Sequence, residues 1–104
     1  MSEKVFVAVA KLEDVPAGKR MLVQAGGIEI LLCNTKDRIF AVRNLCSHAD
    51  QRLDRGRIKD GVIVCPGHGA RFDLETGEAM TAPAVMPLQT YEVRVDHDRI
   101  EIAV

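Results

Sequence analysis

The sequence predicts an all-β domain of short antiparallel strands in small sheets, arranged as a sandwich or a partly open barrel. Three observations predict this class. Apolar and polar residues alternate with a period of two, turn residues interrupt the alternation, and no stretch keeps helical periodicity over three turns. A chain of 104 residues is long enough for one domain with one modest core.

The first predicted strands form two hairpins that share their middle strand. Residues 20–24 and 28–33 flank Gly26-Gly27, a pair that tolerates the positive φ of a tight turn. Residues 28–32 and 39–42 flank a polar turn at 34–37. Ahead of them, residues 11–17 allow one short helical turn, which Pro16 limits.

The second half of the chain has shorter strands and more loops. Residues 62–64 and 70–73 predict two brief strands, each next to a glycine-containing turn. Residues 91–95 and 100–104 predict a final hairpin across 96–98, so we expect His97 to be an exposed turn residue. The pattern therefore predicts that the segment 43–83 is a loop-rich insertion on a β scaffold. Functional sites often lie in such loops.

Composition excludes several classes of function. The net charge of −1 provides no basic surface for nucleic acid or an anionic membrane. The longest apolar run, residues 5–10, is too short to span a bilayer. Three cysteines are an odd, sparse set, unlike a secreted disulfide scaffold. We therefore expect a cytoplasmic protein with no nucleic-acid or membrane partner.

Four residues of metal-ligand type form two mixed pairs. Cys46 and His48 are spaced C-x-H, Cys65 and His68 are spaced C-x-x-H, and 16 residues separate the pairs. Thiolate and neutral imidazole are the common side-chain ligands of zinc and of iron–sulfur centres. Single cysteines and histidines are more often packed or surface residues, but this arrangement predicts a metal centre.

Two kinds of metal centre fit a set of two cysteines and two histidines. Zinc sites with two cysteines and two histidines usually take both cysteines from one short knuckle and both histidines from a helix. A [2Fe–2S] cluster with two thiolates on one iron and two imidazoles on the other is better matched by two loops that each supply one cysteine and one histidine. The spacing favours the cluster and leaves zinc as the alternative.

These residues resemble the Rieske iron–sulfur proteins, whose motif is C-x-H, a spacer of similar length, and C-x-x-H. The resemblance extends to Leu53 and Gly56 after the first pair, CPGHG at 65–69, RFD at 71–73 and TG at 76–77. Residues 83–87 are similar to the proline-containing third loop that lies over the cluster in this family.

The resemblance implies a Rieske-type fold and one [2Fe–2S] cluster bound by Cys46, His48, Cys65 and His68. It also implies a single domain over residues 1–104, with a base subdomain at 1–42 plus 84–104. The cluster-binding subdomain would then span residues 43–83.

Departures from the family pattern indicate which branch of the Rieske proteins this chain resembles. Members of respiratory and photosynthetic complexes carry an extra cysteine in each ligand loop, but this chain has Gly67 there and no cysteine at 49–56. It also has Ala70 and Phe72 where those members have hydroxyl donors to the cluster sulfurs. Fewer such donors predict a reduction potential at the low end of the Rieske range, roughly −150 to −100 mV.

The chain is most similar to the free-standing Rieske ferredoxins of bacterial aromatic-ring dioxygenases. That resemblance implies an electron carrier with no catalytic residues, which passes single electrons from a flavin-dependent NAD(P)H reductase to a terminal oxygenase. The alternatives are a Rieske-like small subunit of another reductase, such as a nitrite reductase, and a zinc-stabilised binding module.

Three smaller expectations remain. Pro83, Val85 and Leu53 are candidate apolar docking residues, with Asp50 and Arg52 setting specificity. Cys33 ends an apolar strand outside the motif, so we expect it to be a buried small hydrophobe.

Overall fold

Short β-strands make up nearly all the regular structure of the chain. The computed structural model describes residues 5–46, 52–67, 69–81 and 86–104. Within these ranges there is one short 3-10 helix, η1 (Leu12–Asp14), and no helix that meets the length and apolarity of a membrane span. The strands are β1 (Phe6–Lys11), β2 (Arg20–Ala25), β3 (Ile28–Thr35), β4 (Arg38–Arg43), β5 (Ile58–Lys59), β6 (Val62–Val64), β7 (Arg71–Asp73), β8 (Thr90–Tyr91), β9 (Val93–Asp96) and β10 (Arg99–Ala103). They form three antiparallel sheets, which confirms the predicted all-β class.

The middle sheet has the strand order β2-β3-β4-β8 and contains both predicted hairpins. Gly26 and Gly27 turn the first hairpin with φ values of 58° and 76°. The second turn is tighter than the sequence predicted, because β3 continues to Thr35 and only Lys36 and Asp37 form the turn. Both have positive φ, 54° and 58°, which matches the twist of the flanking strands.

A second sheet has the order β1-β10-β9 and joins the two ends of the chain. The predicted strand at 91–95 is wrong as a single strand, because the chain changes sheets at Glu92. Tyr91 pairs with Ala41 in the middle sheet, whereas Val93 pairs with Ile102 in the second. The final hairpin then turns at His97 and Asp98, both with positive φ.

The third sheet, β5-β6-β7, consists of strands of two or three residues. Ile63 in β6 pairs with Phe72 in β7, and both side chains are fully buried. Strand β5 is too short to give a periodic signal and was not predicted from the sequence.

The middle sheet is apolar on both faces and separates two buried clusters. Leu31 and Cys33 of β3 face one cluster, and Ile30 and Leu32 face the other. The first cluster joins the middle sheet to the third sheet and the loops around it, and the second joins it to the β1-β10-β9 sheet. Burial on both faces explains why residues 30–33 of β3 are all apolar.

Candidate metal centre

Cys46 and Cys65 lie just after two different strands and are buried in the same cluster. Cys46 follows β4 and Cys65 directly follows β6, with exposed fractions of 2% and 0%. No disulfide joins any of the three cysteines of the chain. The two thiols therefore share one buried environment, while the predicted ligands His48 and His68 lie outside the described residues.

The loop after β6 is closed by two backbone hydrogen bonds. The Cys65 N–H donates to the Ala70 carbonyl at 2.7 Å, and the Gly69 N–H donates to the Cys65 carbonyl at 2.9 Å. Gly69 has a φ of 72°, so its backbone conformation favours glycine, although a Cβ there would meet no neighbour. Pro66 and Gly67 are exposed. This loop thus has a buried thiol at its base and an exposed tip.

The loop after β4 is closed by the side chain of Asn44, which is only 4% exposed. Its amide oxygen accepts the Leu53 N–H at 2.9 Å, and its amide nitrogen donates to the Asp54 carboxylate at 3.1 Å. The Asn44 N–H also donates to the Glu29 carbonyl at 3.0 Å. Asn44 therefore joins the two ends of the loop that contains Cys46 through its side chain and ties that loop to β3 through its backbone N–H.

Asp54 and Arg20 extend this closure. The hydrogen bond from Asn44 is the largest cause that lowers the pKa of the Asp54 carboxyl, and Arg52 and Arg55 add to it. The Arg20 guanidinium donates to the carbonyls of Asp54 and Gly56. Gly56 is needed for steric reasons, because a Cβ there would clash with the Val64 carbonyl. The first loop is thereby fixed against both the middle and the third sheet.

The residues that follow the second pair of the motif have structural roles. The Asp73 carboxylate accepts the N–H groups of Glu75 and Thr76 at 2.8 and 3.2 Å. Gly77 has a φ of 82°, and a Cβ there would clash with the carbonyl of Leu88. The Leu88 N–H donates to the Gly77 carbonyl at 2.7 Å. These contacts bring the two ends of the segment 77–88 together.

Ala70 and Phe72 are completely buried in the same cluster as Cys65. Neither side chain carries a hydrogen-bond donor, so these two positions supply none to a group bound near Cys65. A short apolar wall, which also includes Leu53, therefore lies beside the two thiols.

Cys33 belongs to the same cluster but differs in chemistry. Its side chain is fully buried, as expected. Burial raises the pKa of the Cys33 thiol to about 12, and the positive charge of Arg20 opposes only part of that rise. Since a metal ligand must be a thiolate, Cys33 is suited to packing and not to ligation.

The other expectations have mixed outcomes. Leu53 is wrong as a docking residue, because its side chain has no exposed surface. Arg52 is exposed and forms an ion pair with Glu29 at 3.2 Å. Asp50, Pro83 and Val85 lie outside the described residues. His97 is confirmed as an exposed turn residue, with a side chain 91% accessible.

Sequence reasoning missed Asn44 and Arg20. Arg20 begins β2 and Asn44 directly follows β4, and the local pattern does not distinguish Arg20 from an ordinary surface polar residue. The one available signal was a turn-favouring asparagine directly after β4 and two residues before Cys46.

Comparison with known proteins agrees with this arrangement. Residues 5–92 match the family model of the Rieske [2Fe–2S] domain. The ferredoxin component of the naphthalene 1,2-dioxygenase system of Pseudomonas aeruginosa is 37% identical over 102 residues, which cover 98% of this chain and 97% of that protein.

Solved structures give the same result. The ferredoxin of carbazole 1,9a-dioxygenase from Nocardioides aromaticivorans IC177 superposes with a TM-score of 0.89 at 36% identity, covering 94% of this chain and 96% of that one. A complex of reduced oxygenase and oxidized ferredoxin in carbazole 1,9a-dioxygenase matches with a TM-score of 0.88 at 26% identity, covering 97% and 94%.

Proposed function

Because the chain belongs to the Rieske [2Fe–2S] domain family, we propose that it carries single electrons to the terminal oxygenase of an aromatic-ring dioxygenase system. Its relatives are ferredoxin components, which are electron carriers and not enzymes. The family's cofactor, one Rieske-type [2Fe–2S] cluster, is also the cofactor of this chain. When bound, the cluster supplies reversible one-electron chemistry.

The observation that carries the proposal is the common burial of Cys46 and Cys65. Two thiols outside disulfides, at the bases of two loops and beside an apolar wall, fit the cysteine half of a Rieske site. We assign Cys46 and Cys65 to one iron. His48 and His68 complete the set on the other iron, each two or three residues along the same loop.

The chain's own residues set the environment of the cluster. Asn44 and Arg20 hold the first loop in place, and the Cys65–Ala70 backbone bond holds the second. Ala70 and Phe72 exclude water without donating hydrogen bonds. These features support a potential at the low end of the Rieske range, roughly −150 to −100 mV.

The division into subdomains and the cellular setting are part of the same proposal. The β5-β6-β7 sheet falls within 43–83, which supports a cluster-binding subdomain there and a base subdomain at 1–42 plus 84–104. Electrons would come from a flavin-dependent NAD(P)H reductase. Oxygenase and reductase contacts would be transient, without nucleic acid or membrane, and the location would be cytoplasmic.

Metal analysis of the purified protein tests the assignment. We expect two irons and two acid-labile sulfides per chain, a visible absorption spectrum, and a midpoint potential below zero. Cys46→Ser and Cys65→Ser should each lose the visible absorption, whereas the matched control Cys33→Ala should retain it. A colourless protein with one zinc would support the zinc-stabilised module, and a positive midpoint potential would contradict the low-potential assignment.

Reconstitution tests the physiological role. With a flavin-dependent reductase and a terminal oxygenase of an aromatic-ring dioxygenase system, hydroxylation of the aromatic substrate should require all three components. Hydroxylation that proceeds equally well without this chain would contradict the role. Nitrite reduction that requires this chain would instead support the alternative of a reductase subunit.

A further inference from the structure

The exposed arginines fall into two groups according to their carboxylate partners. One group forms ion pairs within the described residues, with nitrogen–oxygen distances from 2.5 to 3.9 Å: Arg38, Arg52, Arg94 and Arg99. The other group forms no ion pair with any described carboxylate: Arg43, Arg55, Arg57 and Arg71. All members of this second group lie between residues 43 and 71, the range that contains the proposed ligands.

Two of these arginines lie in one row across the third sheet. Val64 of β6 is directly opposite Arg71 of β7, and the Val64 N–H donates to the Arg57 carbonyl at 2.9 Å. Residues opposite one another in antiparallel strands point to the same face. Arg57 and Arg71 are exposed, whereas the next row, which includes Ile63 and Phe72, is buried. The Arg57–Val64–Arg71 row therefore lies on the outer face of the sheet.

The row is at the end of the sheet nearest the proposed cluster. Val64 is bonded directly to Cys65, and the exposed Pro66 and Gly67 follow. A protein that exchanges electrons with the cluster must approach closely, so a partner at this end of the sheet would contact the row. This step rests on the proposed function.

We propose that the Arg57–Val64–Arg71 row is a docking surface for a redox partner protein whose facing surface carries carboxylates. Two guanidinium groups that form no ion pair with a described carboxylate flank a small apolar centre, and we propose that they pair with carboxylates of another molecule. The protein as a whole has a net charge of −1, so the proposed attraction would come from the two arginines of the row and not from the total charge. Such local charge raises association rates and orients short-lived encounters.

The salt dependence of electron transfer to a small charged probe tests the proposal. The reduced holoprotein would be mixed with ferricyanide in a stopped-flow instrument over a range of ionic strength, and its oxidation followed by visible absorption. Net charge alone predicts that repulsion from this anion is relieved by salt, so that the rate constant rises. The proposal predicts the opposite, a rate constant that falls with salt because the anion is attracted to the row.

Charge reversal identifies the residues. Arg57→Glu/Arg71→Glu should reduce the low-salt rate constant about tenfold or more and invert its salt dependence. Lys11→Glu/Lys19→Glu is the matched control, because it makes the same change in net charge at exposed residues in β1 and before β2. The control should keep the sign of the wild-type salt dependence. Arg57→Gln/Arg71→Gln, a milder variant, should give an intermediate rate.

Other results of these experiments would contradict the docking surface or the proposed function. A wild-type rate constant that rises with salt, or equal rates for the double reversal and its control, would overturn the docking surface. Binding of a duplex DNA probe that the double reversal abolishes would also overturn it, by assigning the row to nucleic acid. Failure of the proposed function is distinguishable, since it would appear as a protein without iron, sulfide and visible absorption or as hydroxylation that does not require this chain.

Discussion

The β2-β3-β4 ladder and the segment 44–81 are stabilised in different ways. In the ladder, six residue pairs join β2 to β3 and six join β3 to β4. Backbone hydrogen bonds between strands that are consecutive in the chain therefore define the structure. In the segment 44–81, the strands have two or three residues. A few side chains, above all Asn44 and Arg20, complete the hydrogen bonding there. The second arrangement leaves the chain free to form the loops that contain the proposed ligands but makes each closing contact more important.

The largest expected change in stability comes from a substitution in the core beneath the third sheet. Phe72→Ala should lower the free energy of unfolding by about 3–5 kcal/mol, because it removes a fully buried ring and leaves a cavity. Denaturant unfolding measures the loss. Hydrogen exchange should show that the amides of Ile63 and Asp73 lose protection before those of Leu31 and Val42, since short strands open more easily. Equal loss in both regions would show that the two regions unfold together.

A middle-sized effect concerns the loop that contains Cys46. Asn44→Ala should lower the free energy of unfolding by about 1–3 kcal/mol, because it leaves the buried Leu53 N–H without an acceptor. Denaturant unfolding gives the cost, and the visible spectrum of the loaded protein reports on the site. Asn34→Ala is the matched control, since the Asn34 side-chain amide, within the described part of the chain, donates to the Val15 carbonyl at 2.7 Å and to no other group. The control should leave the spectrum unchanged, and identical effects in both variants would contradict a special role for Asn44.

The smallest expected effect is a pH dependence at the same loop. The folded pKa of Asp54 lies below its unfolded value, chiefly because Asn44 donates to the carboxylate. The associated stability is therefore present above the unfolded pKa of about 4 and is lost as the pH falls through the lower folded value. In Asn44→Ala, NMR titration should show the pKa of Asp54 closer to its usual value. An unchanged Asp54 pKa in that variant would contradict Asn44 as the main cause.

Sequence reasoning succeeded where structure depends on neighbouring residues. The hairpins around Gly26-Gly27 and at residues 96–98 were predicted because turn residues and alternation occur next to each other in the chain. It failed at Glu92, where one apparent strand serves two sheets, because alternation continues whichever partner a strand has. It also failed for Leu53, since an apolar loop residue has the same sequence signal whether it is exposed or buried.

The sequence by itself determined the all-β class, the hairpins, the presence of candidate metal-ligand residues in the segment 46–68 and the absence of hydroxyl donors at Ala70 and Phe72. These properties depend on residue identity and short-range spacing. Only the tertiary structure decided that Cys46 and Cys65 share one buried cluster with Cys33, where burial raises the pKa of the Cys33 thiol. It also decided that Asn44 closes the first loop and that Arg57 and Arg71 share one exposed face. The reason is physical: burial, pairing and pKa depend on residues that are distant in the chain.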